Sequence, residues 1–173
     1  MATPAPQLAL KMLMRKPTID DYPQILQLLD RAFAPSTHES ALVNNLHDKR
    51  KLSFDFIIEE GCQLVAYICY SNAYDTERVK IGYHLAPVAV QPERQGKGLG
   101  HRIIADSLRA IGDSLPVYVL GNPAYYMRLG FKIDRTQKCI FDLSGDHFMV
   151  LNAGGPLPAR HVGYEREFTG FLA

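Results

Sequence analysis

The stretch Val88-Ala-Val-Gln-Pro-Glu-Arg-Gln-Gly-Lys-Gly-Leu-Gly100 constrains the fold more than any other part of the chain. An apolar strand pattern ends there, a polar turn follows, and glycines open a segment whose Leu99, Ile103, Ile104, Leu108 and Ile111 recur at helical spacing. A strand that runs through a glycine turn into a helix leaves the first-turn N–H groups of that helix pointing outward. The helix dipole favours negative charge at the same place. Gly96, Gly98 and Gly100 let an anion approach the backbone closely, and Lys97 adds positive charge. The stretch therefore predicts an anion-binding turn inside an α/β domain.

The flanking pattern supplies the other elements. Leu10 to Met14 reads as a first strand. Thr18, followed by Asp20 and Asp21, starts a helix that carries Ile25, Leu28, Leu29 and Phe33 and stops at Pro35. A second helix is expected from His38 to about Lys49, with Leu42, Val43 and Leu46 as its stripe. Alternation over Phe54, Phe56 and Ile58, a turn at Gly61 and the strand formers Leu64 to Tyr70 predict an antiparallel hairpin. A further strand holds Val79, Ile81, Tyr83 and Leu85, is interrupted at Pro87 and resumes over Val88 to Val90; the proline marks an edge or a bulge. A buried strand is expected at Val117 to Leu120 and a short helix from Pro123 to Leu129, ended by Gly130. Two strands should lie between Phe131 and Leu143 and between His147 and Leu151, with an edge strand in the tail Gly163 to Phe168. The order implies a mixed sheet with helices on both faces.

Length and composition narrow the class. The 173 residues suit a single domain, read here as a loose leader over 1–9 and a domain over 10–173. Nineteen basic residues against 18 acidic ones argue against a dedicated nucleic-acid binder. No apolar run has the length of a membrane span. Cys62, Cys69 and Cys139 have neither the spacing of a metal site nor that of a redox motif, so no metal is expected. Their odd number, with no signal peptide, fits a cytoplasmic protein.

Three nucleotide-binding patterns compete for the glycine turn. A P-loop requires Lys and then Ser or Thr after its last glycine, and Leu99 follows Gly98. The dinucleotide fingerprint requires GxGxxG, and the glycines here are spaced GxGxG. The third pattern, Q/R-x-x-G-x-G/A, is met by Gln95, Gly98 and Gly100. A second motif follows at Gly121-Asn-Pro-Ala-Tyr-Tyr-Met-Arg-Leu-Gly-Phe131. Together, and in this order, the two segments resemble the signatures of the GCN5-related N-acetyltransferase (GNAT) superfamily. The Tyr-Tyr-x-Arg-x-Gly-Phe variant, with Phe148-Met-Val-Leu151 and Gly163-Tyr164, is similar to its YhbS-like branch of acetyltransferases. The resemblance runs from about residue 12 onward, is strongest over 85–131 and is thin across the first two helices. Leu85-Ala-Pro departs from the more familiar Gly-Pro-Leu, which bears on the strand bulge but not on the loop chemistry.

The resemblance implies the GNAT fold: a mostly antiparallel central sheet of six to seven strands, splayed between the fourth and fifth, with about four helices. It also implies transfer of an acetyl group from acetyl-CoA to a primary amine by direct attack on the thioester. Val88, Ala89 and Val90 would line the pantetheine arm, a backbone N–H near Val88 facing the thioester oxygen. Gln95, Gly96, Lys97, Gly98, Leu99 and Gly100 would hold the pyrophosphate, and Asn122 would bond the arm unless it only shapes the turn before Pro123. Tyr126, four residues before Gly130, stands where the superfamily carries its general acid, and a phenol of pKa ~10 can protonate a departing thiolate. Its neighbour Tyr125 points about 100° away on a helix. His84 falls where some members carry a catalytic base and has a suitable ordinary pKa of ~6.5; Glu39 and a water chain are the alternatives. A non-catalytic sensor of coenzyme A would keep the loop but have no use for Tyr126. A partner-binding domain without cofactor would gain nothing from three glycines opening a helix. The acceptor, a small molecule or a protein amine, is not written in these motifs, and a homodimer is left open.

Overall fold

The computed structural model describes residues 12–171. The chain starts with strand β1 (Met12–Arg15), a 3-10 turn at Ile19–Asp21, and helices α1 (Tyr22–Ala32) and α2 (His38–Asp48). Strands β2 (Leu52–Glu60), β3 (Gln63–Tyr74) and β4 (Lys80–Val90) follow, then α3 (Leu99–Ile111), β5 (Val117–Leu120) and the short α4 (Pro123–Tyr126). The remainder is β6 (Lys132–Ile133), β7 (Gln137–Cys139), β8 (Phe148–Leu151), β9 (Arg160–Val162) and a 3-10 segment over Arg166–Phe171. The main sheet has the order β1-β2-β3-β4-β5-β8-β6, antiparallel except for the parallel pair β4–β5, and β7 pairs with β9 in a second small sheet.

Alternation along the strands sorts the core onto two faces. One face carries Phe56, Ile58, Ile68, Tyr70, Leu85, Val117 and Val119 and is covered by α3, whose Leu99, Ile103 and Ile104 are buried against it. Each such side chain contributes about 1.5–3 kcal/mol. Together they outweigh the ~1 kcal/mol that Gly100 costs a helix. The opposite face carries Ile57, Tyr67, Cys69 and Ala89 under α1 and α2. Farther along that face, Ala73, Tyr118, Phe148 and Val150 lie under the C-terminal segment, with Val162 and Tyr164.

Three expectations are corrected. Pro87 does not interrupt its strand or mark an edge, since β4 is continuous and central; the expected alternative of a bulge holds, with Ala86 and Pro87 together opposing Cys69. The Cys69 thiol donates to the Ala86 carbonyl there, 3.1 Å away. The segment after Phe131 is two short strands, and the second leaves the main sheet for β9. The tail forms its strand at Arg160–Val162, earlier than expected, and then turns into 3-10 helix. The expected first strand is present at Met12–Arg15; its expected start at Leu10 lies outside the described residues, as does the proposed leader.

That tail is fastened by charge. Glu165 is buried, accepts from the Tyr74 hydroxyl at 2.5 Å, and pairs with Lys51 at 3.3 Å and Arg78 at 3.7 Å. Glu167 pairs with Lys49 at 3.2 Å. The tail therefore lies across the start of β4.

Candidate active site

β4 and β5 are paired only at Tyr83↔Val117 and His84↔Tyr118, although β4 continues to Val90 and β5 to Leu120. On its other edge β4 stays zipped to β3 as far as Ala66↔Val90. The Gln91 N–H bonds to Val65 of β3, so by alternation the main-chain groups of Val88 and Val90 point away from β3, into the gap beside β5. The Val90 carbonyl accepts there from Gln95 Nε2 at 3.1 Å. The bulge sets this phase. Before it, the Tyr83 N–H faces β5 and bonds to Pro116 at 2.9 Å; after it, Val88 and Val90 inherit that direction.

At the end of the gap lies the glycine turn. Pro92–Arg94 forms a 3-10 turn, Gly96 and Gly98 have φ of 71° and 82°, and Gly98 caps α3 with no side-chain cap. The first ladder bond of α3 runs from the Arg102 N–H to the Gly98 carbonyl, so the earlier N–H groups remain available. A Cβ at Gly96 or Gly98 would meet nothing within 4 Å, so it is the positive φ, not a close protein neighbour, that favours glycine at both. A cavity of about 480 Å³ opens here, lined by Val90, Gln95, Gly96, Gly98, Gly100 and neighbouring side chains. Lys97 does not line it. Its ammonium turns back to the Glu93 carbonyl at 3.0 Å.

The two tyrosines diverge. Tyr126 packs on Gly121 at the end of β5, where a Cβ would fall 2.5 Å from its ring, and meets Phe131 edge-on at 5.7 Å. Burial pushes its phenol up to about 12, so it keeps its proton throughout the neutral range. Tyr125 instead lines the glycine-turn cavity; its hydroxyl lies where a Cβ on Gly100 would stand, and its ring meets His101 edge-on at 4.4 Å. Asn122 uses Oδ1 to cap α4, accepting from the Ala124 N–H at 2.9 Å, which leaves its amide N–H groups for a ligand.

His84 departs from the expectation of a base. Its ring stacks on Tyr164 at 3.5 Å and 4°, Phe168 closes over it at 4.7 Å, and only 3% of the residue is exposed. Burial lowers its pKa from 6.5 to about 3. An imidazole that weakly basic, sealed under the tail at the paired end of β4 and β5, is poorly suited to taking a proton from an ammonium. Glu39 is held at the start of α2 by the Ser36 hydroxyl, which donates to it at 2.7 Å.

The buried imidazole has a measurable consequence. The folded state leaves His84 neutral, while the unfolded chain binds a proton below about pH 6.5. Stability is therefore full above 6.5 and falls as the pH drops towards 3. Urea unfolding at pH 5 and pH 7.5 should show about 2 kcal/mol of acid loss from this group. His84→Phe, which keeps a ring on Tyr164, should lack that share. Equal acid loss in both proteins would refute the assignment.

Sequence reasoning missed the cations around the glycine turn. Arg94, His101 and Arg128 all line the cavity. Arg128 stands inside the second motif, and its spacing of three residues from Tyr125 was the available signal.

Comparison with known proteins agrees with this geometry. Residues 53–133 match the family model of the acetyltransferase (GNAT) domain. The Escherichia coli protein described as uncharacterized N-acetyltransferase YhbS is 31% identical over 127 residues, covering 70% of this chain and 74% of that one. The chain belongs to the GNAT acetyltransferases. Among solved structures, a GNAT family acetyltransferase from Brucella melitensis in complex with acetyl-CoA superposes with a TM-score of 0.79 at 30% identity, covering 92% of this chain and 99% of the other. Escherichia coli YhbS in complex with CoA gives 0.84 at 27% identity, covering 96% and 97%. The parallel split between β4 and β5 in a mostly antiparallel seven-stranded sheet is the fold expected from the motifs.

Proposed function

We propose that this protein is an N-acyltransferase that moves an acetyl group from acetyl-CoA to a primary amine. The observation that carries the reading is the unpaired edge of β4 at Val88 and Val90, leading directly to the uncapped first turn of α3. A strand edge with the Val88 N–H and C=O and the Val90 N–H unpaired suits the amide-bearing pantetheine arm, the Val90 carbonyl being held by Gln95, and the glycine turn suits a pyrophosphate. When bound, acetyl-CoA supplies an acyl group on a good thiolate leaving group.

The protein's own groups then have separable tasks. The gap-facing main chain of Val88 and Val90 orients the arm, and the Val88 N–H donates to the acyl oxygen as charge builds there. Gln95, Gly96, Lys97, Gly98, Leu99 and Gly100 form the turn that holds the pyrophosphate, Ala89 sets the spacing of the strand, and the Asn122 amide donates to the arm. Tyr126 donates its phenolic hydrogen to the departing sulfur. At about 12 its pKa exceeds that of an ordinary thiol, ~8.5, so it serves best as a hydrogen-bond donor that releases its proton only as negative charge grows. The amine loses its proton to water at the mouth of the gap, since His84 is sealed and neutral.

Among the described residues no helix is long and apolar enough to cross a membrane. Cys62, Cys69 and Cys139 are free thiols, and we propose a reducing, cytoplasmic setting for them. The deciding experiment is a screen of small amines, aminoglycosides and N-terminal peptides with acetyl-CoA, reading released thiol. Turnover of any amine supports the enzyme. Tight coenzyme A binding with no turnover across the screen would favour a sensor.

A further inference from the structure

The charges around the glycine-turn cavity are unevenly spent. Its two arginines are Arg94 and Arg128. Arg94 is already paired with the Glu60 carboxylate. Nearby, Arg102 is tied to Asp106, and Lys97 to the Glu93 carbonyl. Arg128 has no hydrogen bond and no ion pair with any described residue. It lies three residues after Tyr125, on the same side of the turn, and Tyr125 forms the cavity wall against Gly100. In that wall the Nε2 of His101 is buried without a hydrogen-bond partner. Buried nitrogens of this kind are normally satisfied, so the imidazole leaves an unmet polar group within the wall, and the idle guanidinium that lines the cavity is short of an anion.

Resting on the proposed use of coenzyme A, we propose that Arg128, with His101 beside it, reads the 3′-phosphate on the ribose of the cofactor and makes the protein selective for coenzyme A over its dephosphorylated form. The charge inventory favours this group over the pyrophosphate. The pyrophosphate has the N–H groups of the α3 first turn, the helix dipole and the glycines that admit it. The 3′-phosphate is a monoester, carries the larger charge on a single phosphorus, and has no other unpaired cation of the cavity to meet. A planar guanidinium with free donors suits bidentate pairing to such a group.

Calorimetric titration of the full chain with coenzyme A and with 3′-dephospho-coenzyme A tests this. The parent should bind coenzyme A about 10- to 100-fold more tightly, the range for a charge-assisted contact. Arg128→Gln should weaken coenzyme A to the dephospho level and leave dephospho-coenzyme A unchanged. Arg128→Lys should restore part of the preference, because it returns the charge without the fork. Equal weakening of both ligands by Arg128→Gln would assign the residue to the pyrophosphate and overturn the proposal. So would a parent that binds both forms equally. A parent that binds neither would overturn the cofactor reading and this proposal together. Because the readout is a difference between two ligands on one protein, general destabilisation of the variant does not imitate it.

Discussion

Tyr126→Phe is expected to lower kcat about 100-fold or more while coenzyme A binding stays near the parent value. General acids contribute roughly 10²- to 10⁴-fold. The substitution removes only an oxygen, so the ring contacts with Gly121 and Phe131 survive. The control is Tyr125→Phe, one residue away. That phenol lies in the glycine-turn wall, against Gly100 and His101, and not on the end of β5. Losing it should affect cofactor affinity more than kcat. Steady-state rates with an amine that is turned over, read beside calorimetric affinity, separate the two residues. If Tyr126→Phe kept full rate, or if Tyr125→Phe lost more rate, the acid would have to be sought elsewhere.

The second large effect is expected at Gly98. Its φ of 82° is a region that a β-branched side chain avoids, at a cost on the order of 1–3 kcal/mol. A Cβ there meets no protein atom within 4 Å, so Gly98→Val should fold. It should nevertheless bind coenzyme A at least about 100-fold more weakly, by reshaping the turn and filling the space in front of its N–H groups. Gly112, at the other end of α3, supplies the matched comparison. It has a φ of 77°, also meets nothing within 4 Å, and does not line the glycine-turn cavity. Gly112→Val carries more backbone strain than Gly98→Val, since a φ of 77° with a ψ of −175° is a region that glycine alone populates, and should still leave affinity intact. Parent-like affinity in Gly98→Val would remove the turn from the binding site.

Much of this was legible in the sequence because it depends on local chemistry. The glycine turn, α3 and its inner stripe, the cap at Asn122 and the end of the short helix at Gly130 are each set by a few adjacent residues. The long hairpin β2–β3 follows from alternation alone. What was not legible depends on residues far apart in the chain. His84 looks like a base when read by position along its strand, because nothing near it announces that Tyr164 and Phe168 will cover it. Arg128 looks like an ordinary surface cation until Arg94 and Lys97 are seen to be occupied by Glu60 and by the Glu93 carbonyl. The small β7–β9 sheet has strands of three residues and leaves little periodic signal.

The bulge at Ala86–Pro87 works as a parity device. Along β4 the residues facing α3 are Tyr83 and Leu85, then Val88 and Val90, so the count goes two, three, two. The same odd step decides which main-chain groups remain zipped to β3 and which are offered to the gap. Oil and hydrogen bonds are therefore indexed by one counter. Deleting either bulge residue would restore plain alternation, with Leu85, one residue, Val88, Ala89 and Val90 following by single steps, so Val88 and Val90 would still face α3 and still offer their main chain to the gap. Flattening the bulge with both residues kept is the change of phase: it would turn Val88 and Val90 towards α1 and α2, push Ala89 under α3, and exchange the offered amides for those engaged in the ladder. The bulge is thus what lets a strand one residue too long keep its packing and its open edge in step.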